Sequence, residues 1–247
     1  MIDSAVRVAH PSVATGIDRA GIDAPHGGCF VIGTDTGVGK TFVACALLHA
    51  MRRAGLAPVP MKPVASGCDV GPDGGVISDD VTQLIAASGR TLTQGEVSPY
   101  RYLPAIAPHI AAAEVRQAVD LDRLVGHAQG LAEAGPLVVE GAGGFLVPVD
   151  ERYSLADLAV ALQLPVVLVV GMRLGCLNHA LLTAEAVAAR GLTLAGWVAN
   201  GIDPDFERPE ANLATLAERL LAPLLGAPSW AADPDPATAQ ISLPALR

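Results

Sequence analysis

The segment Gly33-Thr-Asp-Thr-Gly-Val-Gly-Lys-Thr41 constrains this chain more than any other part of its 247 residues. It follows a short apolar run, Cys29-Phe-Val-Ile-Gly33, and precedes a helical pattern from Thr41 to Ala54 that stops at Gly55. A strand, a glycine-rich turn and a helix in that order are the context in which a phosphate-binding loop works. Glycines let backbone N–H groups turn inward around the phosphates, and the helix N-terminus adds positive potential. Lys40 would reach the β- and γ-phosphates, and the Thr41 hydroxyl would take a place on Mg²⁺. The usual spacing is G-x-x-x-x-G-K-[ST]. Thr34 holds the first glycine position here and Gly33 lies one residue earlier, so the loop is a variant.

The rest of the chain alternates apolar runs with helical patterns. Val59 to Pro63, Leu137 to Glu140, Pro165 to Gly171 and Leu194 to Asn200 read as strands. Asp80 to Ala87, Asp120 to Ala134, Ser154 to Leu162 and Leu177 to Arg190 read as helices. Strands without polar alternation, spaced by amphipathic helices, indicate a parallel sheet covered on both faces, joined by right-handed crossovers. The expected fold is therefore α/β: a doubly wound, mainly parallel sheet with helices on both faces, of the P-loop NTPase kind. Residues 1–28 show no sustained period and read as a flexible or loosely docked arm, leaving 29–247 as a single domain. The proline-rich tail from Pro228 to Pro236 ends the regular pattern, with the option of folding back over a ligand.

Composition excludes several classes of function. With 16 basic and 25 acidic residues the net charge is −9, which argues against neutralising nucleic-acid phosphates or anionic lipid. Aromatics make up only 4%, too few for a base-stacking platform. Hydrophobic residues at 51% provide ample core. Cys29, Cys45, Cys68 and Cys176 lie far apart without a CxxC pair, so reduced thiols in a cytoplasm fit better than a zinc cage or a disulfide framework. The most apolar stretch, Leu164 to Val170, is well short of the roughly 18 residues that span a bilayer. A soluble, cytoplasmic protein without nucleic-acid or membrane partners is expected.

A metal–triphosphate needs carboxylates as well as a cationic loop. Glu140 ends an apolar strand just ahead of Gly141-Ala-Gly-Gly144, at the sheet edge where ligands of open α/β folds bind. Asp79 and Asp80 open a candidate helix, where one of them could equally be an N-cap. Lys62, at the end of a short apolar strand, is placed to act as a second cation for a reacting phosphoryl group, although a lone lysine is usually a solvated surface residue. Gly175-Cys-Leu-Asn-His179 opens a helix and could hold an anion, or could be a plain helix start.

Together, several blocks carry a family resemblance: Gly33–Thr41, Lys62-Pro-Val-Ala-Ser-Gly67, Pro108-His-Ile110, Val139-Glu-Gly-Ala-Gly-Gly144, Leu174-Gly-Cys-Leu-Asn-His-Ala180 and Gly196-Trp-Val-Ala-Asn200. In order and content they resemble the dethiobiotin synthetases, over about residues 29–230. The resemblance implies an ATP- and Mg²⁺-dependent ring closure of 7,8-diaminopelargonic acid with CO₂ (or bicarbonate as its source), within biotin biosynthesis. It implies that Lys40 and Lys62 stabilise the γ-phosphoryl group and a carbamate, with Lys62 the catalytic lysine, and that Thr36 and Ser66 contact phosphate or substrate. ATP would lie along Gly37, Val38, Gly39, Lys40, Thr41, Gly141, Ala142, Gly143 and Gly201, with Asn200 reading the adenine edge. Thr41, Asp80 and Glu140 would serve Mg²⁺; Asp80 is preferred to Asp79 because the family register through Ser98-Pro-Tyr100 then needs no gap. Gly175, Cys176 and Asn178 would hold the substrate carboxylate from a second subunit, which makes a homodimer part of the expectation.

Three features depart from the family pattern. Gly37 stands where many members carry an acid, Ser229-Trp230 replaces a more usual Pro-containing segment near the adenine, and the arm has no family counterpart. The alternatives are a partition- or site-selection-type ATPase switch, a non-catalytic nucleotide-binding subunit, and a corrinoid amide ligase. The first would carry an extra lysine early in the loop, where Thr34 holds the matching region. The second does not explain why Lys40, Thr41, Lys62 and Glu140 occur together. The third would need a further domain.

Overall fold

The structure, a computed structural model, describes residues 24–232 and 234–246. In chain order its first elements are β1 (Gly28–Gly33), α1 (Lys40–Arg53), β2 (Val59–Met61), β3 (Val64–Ser66), β4 (Asp69–Val70) and β5 (Val76–Ile77). Next come α2 (Asp79–Ser88), α3 (Gln94–Val97), β6 (Tyr100–Tyr102), α4 (Pro108–Glu114) and α5 (Leu121–Ala132). The last are β7 (Leu137–Gly144), α6 (Leu155–Leu162), β8 (Val166–Met172), α7 (Cys176–Ala189), β9 (Leu194–Gly201), α8 (Pro209–Arg219) and β10 (Leu224–Gly226).

The central sheet has six strands in the order β10-β9-β8-β1-β7-β2, and every neighbouring pair is parallel. The expected doubly wound arrangement is therefore present. Phe30 and Ile32 of β1 face a core shared with Val139, Leu168, Val170 and Trp197 under α4 to α8. Cys29 and Val31 face a second core with Val138, Val167, Val169 and Val198 under α1. Both faces of each strand are buried, which is why the strand sequences show no polar alternation. After β7 the chain passes to the other side of β1, so the order reverses beside the C-terminal end of β1. Open α/β sheets bind ligands at such a reversal.

The structure corrects several details of the sequence reading. Regular structure begins at Gly28, and Ala24 already packs against the first core. Of the predicted arm, residues 1–23 lie outside the described residues. The strand at Val59 stops at Met61, and Lys62 and Pro63 then lead into β3, which pairs in parallel with β6. β7 runs on through Gly144, because Gly144 pairs with Gly33 after a shift in register. The cap of α2 is Ser78, whose side chain accepts from the Val81 N–H, so neither Asp79 nor Asp80 is needed as a cap.

The tail does return to the sheet. The Gly201 N–H donates to the Pro228 carbonyl at 2.9 Å, and the Ser242 N–H donates to the Leu225 carbonyl at 2.8 Å. Ile241 is buried against the second core, an apolar anchor that ends the excursion beyond β10. Among the described residues no helix is long and apolar enough to cross a membrane.

Candidate active site

The loop after β1 turns because Gly37 and Gly39 adopt left-handed backbone angles, with φ of 72° and 85°. Gly39 has a second reason to be glycine, since a β-carbon there would drive into the Asn200 side chain. Asn200 is buried at the end of β9, and its Nδ2 donates to the Val38 carbonyl at 2.9 Å. The loop is thus tied to β9 from behind. Gly39→Ala introduces backbone strain of about 1–3 kcal/mol and displaces Asn200. The expected result is at least a tenfold loss of affinity for a non-hydrolysable Mg·ATP analogue by calorimetry.

Lys40 is buried at the start of α1, and its Nζ donates to the Asp35 carbonyl at 2.9 Å. Burial, and then the nearby Lys62 ammonium, lower its pKa to about 8. Next to it, the Thr41 Oγ1 lies 2.9 Å from Asp80 Oδ1 and 2.9 Å from Glu140 Oε1. A hydroxyl has one proton to donate, so it cannot satisfy both carboxylates.

Lys62 closes this cluster. Its buried Nζ lies 2.8 Å from Asp80 Oδ2 and 2.5 Å from Glu140 Oε1. Burial alone would push this ammonium down, but Glu140 and Asp80 outweigh it, and its pKa ends above the ordinary lysine value. Glu140 is fully buried on β7, opposite Val31 of β1. Desolvation raises its pKa, with Lys62 pulling the other way. Asp80 is more open; burial would raise its carboxyl, yet Lys62 brings it below the usual aspartate value. The physical picture is consistent: one ammonium is shared by two carboxylates, and the drier carboxylate holds its proton more tightly.

Thr41, Asp80 and Glu140 offer only oxygen, the ligand type that a hard divalent cation takes. Glu140 Oε2 is buried with no hydrogen-bond partner among the described residues, and the Thr41 hydroxyl is one proton short, so the cluster can accept further positive charge. No group of three His, Cys, Asp or Glu side chains suited to a metal occurs among the described residues. Mg²⁺ retains waters and takes phosphate oxygens rather than filling its shell from the protein, so two carboxylates and a hydroxyl can suffice for it. The residues fit the ion.

These groups line a cavity of about 620 Å³ together with Thr36, Gly37, Gly39, Ser66, Ala142 and Gly143. Ser66 Oγ is buried there without a partner, available to a bound group. Asp79 stays outside, exposed and bonded to Gln83 at 2.8 Å. Val38, Gly141 and Asn200 do not line this cavity. Gly201 faces a second cavity, of about 560 Å³, walled by Met172, Phe206, Pro228 and Trp230. A β-carbon on Gly201 would lie 2.5 Å from the Trp230 nitrogen, so glycine is what lets the tail pass this close.

A family model described as "AAA domain" matches residues 28–238. An ATP-dependent dethiobiotin synthetase BioD of Aromatoleum aromaticum is 53% identical over 215 residues, covering 87% of this chain and 95% of that protein. The protein of the same name from Pseudomonas aeruginosa strain UCBPP-PA14 is 52% identical, covering 80% of this chain and 87% of its own. The chain belongs to the dethiobiotin synthetase family. Among solved structures, the septum site-determining protein MinD of Pyrococcus horikoshii, complexed with Mg-ADP, has a TM-score of 0.51 at 16% identity. It covers 81% of this chain and 80% of its own, and at that identity the likeness is one of fold.

One group of the residues expected in a dethiobiotin synthetase site does not reach the cavity within this chain. Gly175 begins α7 with φ of 97°, Cys176 is buried beneath it, and Asn178 is exposed. None of them lines the cavity. Sequence reasoning also missed contributors that the fold supplies, namely Val64, Ile106 and Val147 on the wall and the Asp35–Arg173 ion pair of the loop, outside the cavity lining. A charged residue directly after an apolar strand was the available signal for Arg173.

Proposed function

We propose that this chain is an ATP-dependent cyclo-ligase that converts 7,8-diaminopelargonic acid and CO₂ into dethiobiotin, and that Lys40, Lys62, Thr41, Asp80 and Glu140 perform it. The observation that carries the reading is Lys62, a buried cation in the same cavity as the loop lysine and held by both candidate metal carboxylates. A site that only bound or hydrolysed nucleotide would have no evident need for this second ammonium.

The 7-amino nitrogen attacks CO₂ and loses a proton, giving a carbamate. A carbamate oxygen attacks the γ-phosphorus, and the bond to ADP breaks. The 8-amino nitrogen then attacks the carbonyl carbon of this carbamic–phosphoric anhydride, loses a proton and expels phosphate, which closes the ureido ring. Negative charge gathers on carbamate and phosphoryl oxygens throughout, and fixed cations in a dry site stabilise it at no cost in reorganisation. Lys40 supports the nucleotide phosphates, while Lys62 stands between them and the carbamate. Thr41, Asp80 and Glu140 would hold Mg²⁺, which supplies charge neutralisation at the β- and γ-phosphates. Thr36 and the unpartnered Ser66 hydroxyl offer hydrogen bonds to the transferred group and the substrate. Asn200 uses its nitrogen on the loop and has no protein partner for Oδ1 among the described residues, which suits a contact to adenine.

A cytoplasmic homodimer completes the reading. The α7 start is turned away from its own cavity, and Leu174 and Leu182 beside it are 92% and 56% exposed. A second copy would cover this apolar edge and receive Gly175, Cys176 and Asn178 at the substrate carboxylate. Phosphate release from Mg·ATP should require both the diamine and bicarbonate, with dethiobiotin formed in equal amount. ATP turnover indifferent to the diamine would overturn the proposal.

A further inference from the structure

Asp35 lies in the phosphate loop itself, and its acceptors hold three partners. Its carbonyl accepts from Lys40 Nζ at 2.9 Å, and its Oδ1 accepts from the Thr36 N–H at 2.7 Å. Its Oδ2 is paired with Arg173 Nη2 at 2.5 Å. Arg173 directly follows β8, the strand whose Val169 pairs with Gly33 at the root of the loop. The ion pair therefore bridges the ends of two adjacent parallel strands at the loop's mouth, outside the cavity lining.

A carboxylate at this place needs an explanation. A phosphate loop must gather several negative charges, and Asp35 adds one of its own next to the loop lysine. We infer that Arg173 is a positioning residue for nucleotide binding: it neutralises Asp35 and holds it, so that the carboxylate can brace the loop without repelling the incoming triphosphate. The inference rests on reading Gly33–Thr41 as the ATP loop and is independent of which acceptor the phosphoryl group reaches. Nothing in it requires Arg173 to touch the nucleotide, and that gives it a distinctive sign.

The test is a double-mutant cycle on the intact protein, read as the Kd of a non-hydrolysable Mg·ATP analogue and as KM for ATP against kcat. Arg173→Gln should raise Kd and KM for ATP about fivefold, the upper end of what a partly exposed pair allows. Arg173→Lys, which keeps the charge, should stay within about threefold. Asp35→Asn combined with Arg173→Gln should return Kd to within about twofold of the starting protein, because the stranded carboxylate is gone while an amide oxygen still serves the Thr36 N–H. A purely structural arginine would not be rescued by a second substitution at the loop. An unchanged Kd in Arg173→Gln overturns the inference, and so does a loss that persists in the double variant, which would place Arg173 on the nucleotide directly. An unsubstituted protein that binds the analogue but forms no dethiobiotin refutes the proposed activity and leaves this cycle interpretable.

Discussion

Lys62→Ala should lower dethiobiotin formation by about a thousandfold or more, with KM for ATP changed far less. The reason is geometric. In the proposed reaction Lys40 and the loop amides would hold the nucleotide, whereas Lys62 is a second cation in the same cavity, so its loss should fall on the transition state rather than on binding. The same substitution destabilises the fold, because Asp80 and Glu140 are left facing each other without their ammonium. Breaking a buried pair typically costs about 3–5 kcal/mol. Adding Mg²⁺ should restore part of the lost melting temperature, and more for the variant than for the parent, since a cation that binds only the folded state stabilises it by mass action. Near-normal turnover in folded Lys62→Ala would remove this lysine from the mechanism.

Glu140→Gln should cost about a hundred- to thousandfold in turnover and shift the Mg²⁺ half-saturation upward by at least tenfold. The side chain keeps its size, but Lys62 loses the drier of its two carboxylates, the Mg²⁺ proposed above would lose it too, and an amide nitrogen can replace neither charge nor lone pair. A Mg²⁺ titration of turnover reads both effects. Asp79→Asn is the control, because Asp79 is exposed and bonded only to Gln83. Its turnover should stay within about twofold, and a large loss there would exchange the roles of Asp79 and Asp80.

Much of this site was legible in the sequence because its parts sit at element ends. The loop announced itself through Gly37, Gly39 and Gly-Lys-Thr41, whose backbone demands few other residues meet. Glu140 was legible as a charge ending a buried strand. Asp80 was not separable from Asp79 by spacing, since both occupy the first turn of α2; the approach of α1 brings the Thr41 hydroxyl to Asp80, while Asp79 bonds Gln83. β3 and β6 are three residues each and become strands only by pairing with one another, so local pattern had nothing to read. Asp35 and Arg173 are 138 positions apart, joined by the sheet order alone. The return of the tail depends on Ile241 finding Leu225 and α1, a contact that a proline-rich segment does not advertise.

In the proposed reaction a carbamate oxygen accepts the γ-phosphoryl group. Single-turnover reaction with ¹⁸O-labelled CO₂, quenched before the label exchanges with water, tests it most directly. The released phosphate should carry one labelled oxygen, because the anhydride breaks between carbon and the bridging oxygen when the ring closes. Dethiobiotin accompanied by unlabelled phosphate would exclude the carbamate oxygen as the phosphoryl acceptor.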